Sequence, residues 1–360
     1  MVKERIIGFD LARAYALFGM FIVNFNYCFG SVFQTTDPAG RFLNLFTGNS
    51  TSIFIILAGM GLSLLSKQKN DENISSKQAL RSVILKRSWF LLALGLLLFN
   101  WWPGDILHFY GSYMHFAAFL LFVPKRYYLW SALAVVVIYH ILLFIIPVTT
   151  GWDMATFRYN DFWTVSGFLR NTFYNGWNSV FPWIAYFLLG MWLGKLDWDN
   201  KKIRRAVFIS GSIVFVVFEL LRFVTQSYFS GLALDYVMSE YFPPYFPFMA
   251  ITAGFALMVI SICMFMGEYF QNNKIITWLV KTGQMTLSHY VIHLTLGMIL
   301  LQFLTGKQYT GFTEDEVPTA PLYILFFAIA FFIVSILFSI LWSKRFKNGP
   351  LELLMRKISG

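Results

Sequence analysis

The chain has 360 residues, of which 58% are hydrophobic and 20% aromatic, while only 13% are charged. Soluble domains carry about 25% charged residues, so this supply cannot cover a water-facing surface; lipid must solvate much of the exterior, and a separate soluble enzyme domain is excluded. The net charge is +10, but its placement along the chain assigns it to one membrane face and excludes nucleic acid as a partner.

The start, Met1-Val2-Lys3-Glu4-Arg5, is basic like a signal peptide. The apolar run behind it contains Asp10 and Arg13, continues past residue 25 and shows no small-x-small cleavage site, so it reads as a retained first span. Hydropathy marks ten membrane-spanning helices, at 7–30, 51–66, 83–101, 106–123, 128–147, 179–196, 206–225, 246–266, 284–305 and 321–342. The expected fold class is all-α, a polytopic transmembrane helical bundle forming one integral membrane domain over 1–360. With the N-terminus in the cytoplasm, 22 of the 28 Lys and Arg fall in cytoplasmic segments, five fall outside, and Arg13 lies within the first span. That asymmetry predicts an even number of spans with both ends inside.

The longer outer loops, 31–50, 148–178, 226–245 and 306–320, carry Trp152, Tyr159, Trp163, Tyr174, Trp177, Tyr236 and Tyr241. They read either as a substrate vestibule or as the aromatic belt common at membrane interfaces. Cys28 and Cys263 lie in apolar runs, and two cysteines are too few for a disulfide framework. Gly59, Gly61, Ser63, Gly190 and Gly194 are small-residue stripes that predict close helix packing.

Ionisable groups inside a membrane are costly and mark functional positions. Asp10, Arg13 and Asn24 share one face of the first helix: eleven residues separate Arg13 from Asn24, a net rotation of about 20°, and Asp10 falls about 40–60° from both. Asp10 with Arg13 also fits an interfacial ion pair; the aligned trio points to substrate binding. Asp105 and His108, three apart at a helix start, fit a general base and its orienting carboxylate, while Asp105 equally fits a helix N-cap. His289 and His293 stand at i, i+4 without the Glu of a zinc-protease pattern, so no metal is expected and contact with a substrate or between helices is. His115 and His140 read as structural, and Glu219 with Arg222 as a local ion pair.

Arg5-Ile6-Ile7-Gly8-Phe9-Asp10-Leu11-Ala12-Arg13-Ala14 with Val23-Asn24 resembles the opening of the YeiB-like and heparan-α-glucosaminide N-acetyltransferase-like membrane proteins, with Ala14 where Gly is usual. Asp105-Ile106-Leu107 with Tyr110-Gly111, Phe181-Pro182-Trp183 with Gly190 and Gly194, Gly283-Gln284-Met285-Thr286-Leu287-Ser288 with Tyr290, and Gly349-Pro350-Leu351-Glu352 with Arg356 follow in the same order. The resemblance spans nearly the whole chain and extends to the transmembrane acyltransferase superfamily. It implies a ten-helix bundle with a tunnel, acyl-CoA (acetyl-CoA) as donor, and a small-molecule or glycan acceptor on the outer face.

The acyltransferase-3 branch of that superfamily has Arg, ten residues, then His on its first helix. Here Arg13 and Asn24 stand at those positions. The heparan-acetylating branch has Asn there and a catalytic His eleven residues later, which falls on Thr35, near Asp37. The base must therefore come from elsewhere: His108 with Asp105 first, His289 second. Solute transport, or an inactive scaffold-like relative, are the other readings. A bacterial cytoplasmic membrane is the expected location, membrane lipid a partner, and a homodimer is left open.

Overall fold

The computed structural model describes residues 6–30, 37–69, 73–154, 158–238, 240–307 and 318–360. Its helices are α1 Ile7–Phe29, α2 Pro38–Asn44, α3 Asn49–Gln68, α4 Ile74–Phe99, α5 Leu107–Leu120, α6 Arg126–Ile145, α7 Val165–Arg170, α8 Val180–Gly194, α9 Lys201–Tyr228, α10 Leu232–Val237, α11 Phe246–Tyr269, α12 Lys274–Gly283, α13 Thr286–Ile292, α14 Met298–Thr305, α15 Pro321–Trp342 and α16 Pro350–Ser359. A two-residue β-ladder pairs Trp152–Asp153 with Arg158–Tyr159.

Among the described residues, eight helical stretches are long and apolar enough to cross a membrane, which identifies an integral membrane protein of the all-α class. They correspond to eight of the ten expected spans. The other two, 106–123 and 179–196, are helices of 14 and 15 residues. At 1.5 Å per residue these reach only about 21–23 Å, against a hydrocarbon core of about 30 Å. Each begins one residue inside the expected span and ends two or three residues before its end, and local chemistry marks both starts. The Asp105 carboxylate caps the first turn of α5, and Phe181 interrupts α8 with non-helical backbone (φ −94°, ψ 119°).

Other boundaries moved because hydropathy locates the apolar stretch and not the helix. α4 begins nine residues before 83, where the Asn73 side chain accepts from Ser76 N at 2.9 Å and starts the helix while the chain is still polar. The apolar stretch Pro38–Lys67 is broken between α2 and α3 by Gly48, whose φ of 76° favours glycine.

The chain divides into two compact units: the described residues of Met1–Phe54 and Phe255–Leu354 form one, and those of Ile55–Met154, Arg158–Gly254 and Met355–Gly360 the other. In the first unit, α1 packs on α12 and α15, with α13 and α14 alongside. The helices approach closely because glycine removes the side chain at the crossing: a Cβ on Gly283 would fall 1.8 Å from the Asp10 carbonyl oxygen. In the second unit α4 packs on α5, and α8 on α5 and α6. The expected small-residue stripes meet here: a Cβ on Gly59 would fall 2.0 Å from Phe187 O, and one on Gly190 would fall 2.1 Å from Ile56 O.

Candidate functional site

The predicted polar residues gather in two places, one in each unit. In the first, α1 turns its stripe inward: Asp10 is 1% exposed and Asn24 9%, while Arg13 is half-buried. Arg13 Nη1 donates to Asp10 Oδ1 at 2.6 Å, and Gln284 Nε2 donates to Asp10 Oδ2 at 3.2 Å. The interfacial ion pair is therefore made, and it is tied to the turn that follows α12.

Asn24 Nδ2 donates to Met20 O at 3.0 Å and lies 3.1 Å from His293 Nε2. A carbonyl oxygen only accepts, so the amide nitrogen must face it; Nε2 then accepts as well, and the imidazole carries its proton on Nδ1. The ring is walled by Phe21 (4.8 Å), Tyr290 (5.1 Å) and Phe25 (5.9 Å). His293 opens a π-helical turn, His293–Gly297, a departure from α-geometry found often at functional sites. His289, one turn earlier, faces elsewhere: its Nε2 lies 2.7 Å from Ser339 Oγ, whose own proton goes to Ser335 O at 2.8 Å. The i, i+4 histidines thus serve α1 and α15 separately. Among the described residues no group of three His, Cys, Asp or Glu could hold a metal ion.

The histidine-bearing helix is held from its N-terminus by α16. Glu352 Oε1 accepts from Leu287 N (2.8 Å) and Ser288 N (3.2 Å), Oε2 accepts from Ser288 Oγ (2.5 Å), and Ser288 Oγ accepts from Leu351 N (3.0 Å). Backbone donors at a helix N-terminus favour a carboxylate, but burial dominates and raises the Glu352 pKa, the Ser288 hydroxyl and the backbone donors pulling it back. The folded value lies above the unfolded one. The stability contributed by the protonated group is therefore complete below the ordinary glutamate range and is lost as the pH rises through the raised value. Glu352→Gln is expected to flatten that part of the stability–pH curve, read by thermal unfolding at a series of pH values. A slope identical to wild type would show that Glu352 does not titrate there.

In the second unit, Asp105 and His108 are both fully buried (0% exposed). Asp105 Oδ2 accepts from Leu107 N (2.9 Å) and His108 N (3.2 Å), so the N-cap role is realised. The same oxygen lies 3.5 Å from His108 Nδ1 without hydrogen-bond geometry. Among the described residues neither ring nitrogen of His108 has a hydrogen-bond partner. The imidazole lies against Phe109 (3.8 Å) and takes the edges of Phe99 (5.6 Å) and Phe162 (5.8 Å), two rings stacked on each other at 3.5 Å. Gly95 of α4 makes the room: a Cβ there would fall 2.2 Å from His108 N and 2.6 Å from Asp105 Oδ2.

The sequence model of the family "Heparan-alpha-glucosaminide N-acetyltransferase, catalytic" matches residues 5–221, more than half of the chain. The chain belongs to the heparan-alpha-glucosaminide N-acetyltransferase family. A second model, of a protein family of unknown function, DUF418, matches residues 190–360. No curated protein and no solved structure matches the chain. The N-acetyltransferase match takes in Asp10, Arg13, Asn24, Asp105 and His108, whereas His289, His293 and Glu352 lie within the second match.

Thr35, where the resemblance would place a histidine, lies outside the described residues. The acid near it, Asp37, caps α2 by accepting from Ala39 N at 2.7 Å. The remaining singled-out residues are local. Arg222 Nη1 lies 3.8 Å from Glu219 Oε1, His115 Nδ1 meets Ser88 Oγ at 3.3 Å, and His140 meets Val136 O (2.8 Å) and Tyr236 Oη (3.2 Å). Cys28 and Cys263 are buried free thiols. Sequence reasoning passed over Gln284 and Ser339. Gln284 stands in a quoted motif beside Gly283 and was open to being found; Ser339 is hidden in the apolar run of α15.

Proposed function

We propose that the chain is a membrane-bound acyltransferase that moves an acetyl or short acyl group from cytoplasmic acyl-CoA to a hydroxyl or amine of a sugar or related acceptor at the outer face. His108 carries the reading: an enclosed imidazole with neither nitrogen hydrogen-bonded among the described residues, in a chain of the N-acetyltransferase family. Leaving a buried polar group unpaired costs about 1–3 kcal/mol, and such groups concentrate where function requires them. His108 takes the acceptor proton as the acceptor oxygen or nitrogen attacks the thioester carbonyl. The new C–O or C–N bond forms, the C–S bond breaks, and the thiol leaves with the proton. Asp105, 3.5 Å from Nδ1, offsets the charge that the imidazole gains.

Asn24, held by Met20 and His293, binds substrate through a pre-oriented amide, and Arg13, with Asp10 beside it, contacts the anionic donor. His289 is the second candidate base. Ten crossings with both ends in the cytoplasm complete the proposal, with α5 and α8 as short crossing helices; the Lys and Arg distribution supports it. The cytoplasmic connections, short beside the outer loops, favour a bacterial cytoplasmic membrane.

Calorimetry of acetyl-CoA with the detergent-purified protein tests the reading. Wild type is expected to bind at micromolar Kd, on the order of −8 kcal/mol, and Arg13→Ala more weakly. Absence of binding to any acyl-CoA would move the assignment to solute transport, measured as flux of unmodified solute into proteoliposomes.

A further inference from the structure

We propose that Arg87 and Arg356, with Ser359, form a binding site for a phosphate group. All three belong to the second unit. Arg87, on α4, is half-buried and donates from Nε to Ser359 Oγ at 3.2 Å; Ser359 is itself 1% exposed. One of the five guanidinium donors is thereby used. Arg356 stands three residues before Ser359 on α16, so it shares the helix face that Arg87 reaches.

No carboxylate among the described residues pairs with either guanidinium. The one acid on α16, Glu352, accepts from Leu287 and Ser288 instead. Basic residues in the last turn of a helix are favoured by its dipole, and that accounts for Arg356 and Lys357 on α16. It does not account for a half-buried Arg87 brought beside Arg356 from α4, since holding a partly desolvated guanidinium next to a second one without a counter-charge is unfavourable. A bound anion resolves this. Planar guanidinium forks match phosphate oxygens two at a time, and the Ser359 hydroxyl fixes the orientation of Arg87. The phosphate comes either from the nucleotide part of the acyl-CoA donor, which rests on the acyltransferase reading, or from the headgroup of an anionic phospholipid.

The test measures wild type, Arg356→Gln and Arg87→Gln with three probes: coenzyme A, inorganic pyrophosphate, and phosphatidylglycerol nanodiscs against phosphatidylcholine ones. Arg356 is exposed, so its variant disturbs no packing, and Arg87→Lys serves if Arg87→Gln does not fold. If coenzyme A is the source, both coenzyme A and pyrophosphate bind wild type, and binding weakens roughly tenfold in each variant. If lipid is the source, phosphatidylglycerol alone raises the thermal midpoint, and the variants lose the rise. Either pattern supports the site. Equal responses of wild type and variants to every probe, or no response of wild type to any, overturn it. Coenzyme A binding that the variants leave unchanged, with no lipid response that they lose, would sink the phosphate site while leaving the acyltransferase reading intact. A lipid response without coenzyme A binding would do the reverse.

Discussion

Replacing His108 by alanine is expected to lower acyl transfer by about 10²–10⁴-fold, the range that a positioned proton acceptor contributes. His108→Phe sharpens the test. Phenylalanine is close in shape, and the site is already walled by Phe99, Phe109 and Phe162, so the replacement keeps the packing and removes two buried nitrogens that have no hydrogen bond among the described residues. Exchanging unsatisfied polar atoms for apolar ones of similar shape is close to neutral or stabilising. The expected outcome is a thermal midpoint at or above wild type with transfer of labelled acetyl from acetyl-CoA abolished. A His108→Phe protein that unfolds normally and still turns over would remove His108 from the chemistry and pass the role to His289.

Asn24 and His293 are expected to behave as one unit. Asn24→Ala removes an amide aimed by two hydrogen bonds, and loss of one preorganised polar contact costs about 10²–10³-fold in kcat. His293→Ala leaves Asn24 attached to Met20 O but free of its second anchor, so the amide keeps its chemistry and loses its aim. The double variant should then be no worse than Asn24→Ala alone, because the positioning residue has nothing left to position. Steady-state kinetics of the four proteins gives the cycle. Losses that add would mean that the two residues act independently, and a loss in midpoint with kcat unchanged would reduce the pair to a structural link.

The sequence shows the membrane class, eight of its long helices and the inward stripe of α1 because these depend on local periodicity and on the cost of charge in lipid. The 100° rotation per residue places Asp10, Arg13 and Asn24 on one face with no knowledge of neighbours. It cannot say that His293, 269 residues later, meets Asn24, since that pairing is decided by how α1 and the π-turn after α13 pack. The two readings of Asp105 were both legible, and the structure realises the cap while placing the carboxylate within 3.5 Å of the imidazole. What hydropathy could not register is length: α5 and α8 are apolar over the expected stretches but are helical over only 14 and 15 residues, the first turn of one set by a capping carboxylate and that of the other interrupted at Phe181.

The Glu352 clasp also sets an order of events during synthesis. Leu287, the helix start that it caps, is made 65 residues earlier. At about 5–20 residues per second, roughly 3–13 seconds pass before the capping carboxylate is made. In that interval the first-turn amides of Leu287 and Ser288 lack the acceptor they have in the finished protein. The start of the helix that carries His289 and His293 therefore waits for α16 before its first-turn amides are capped.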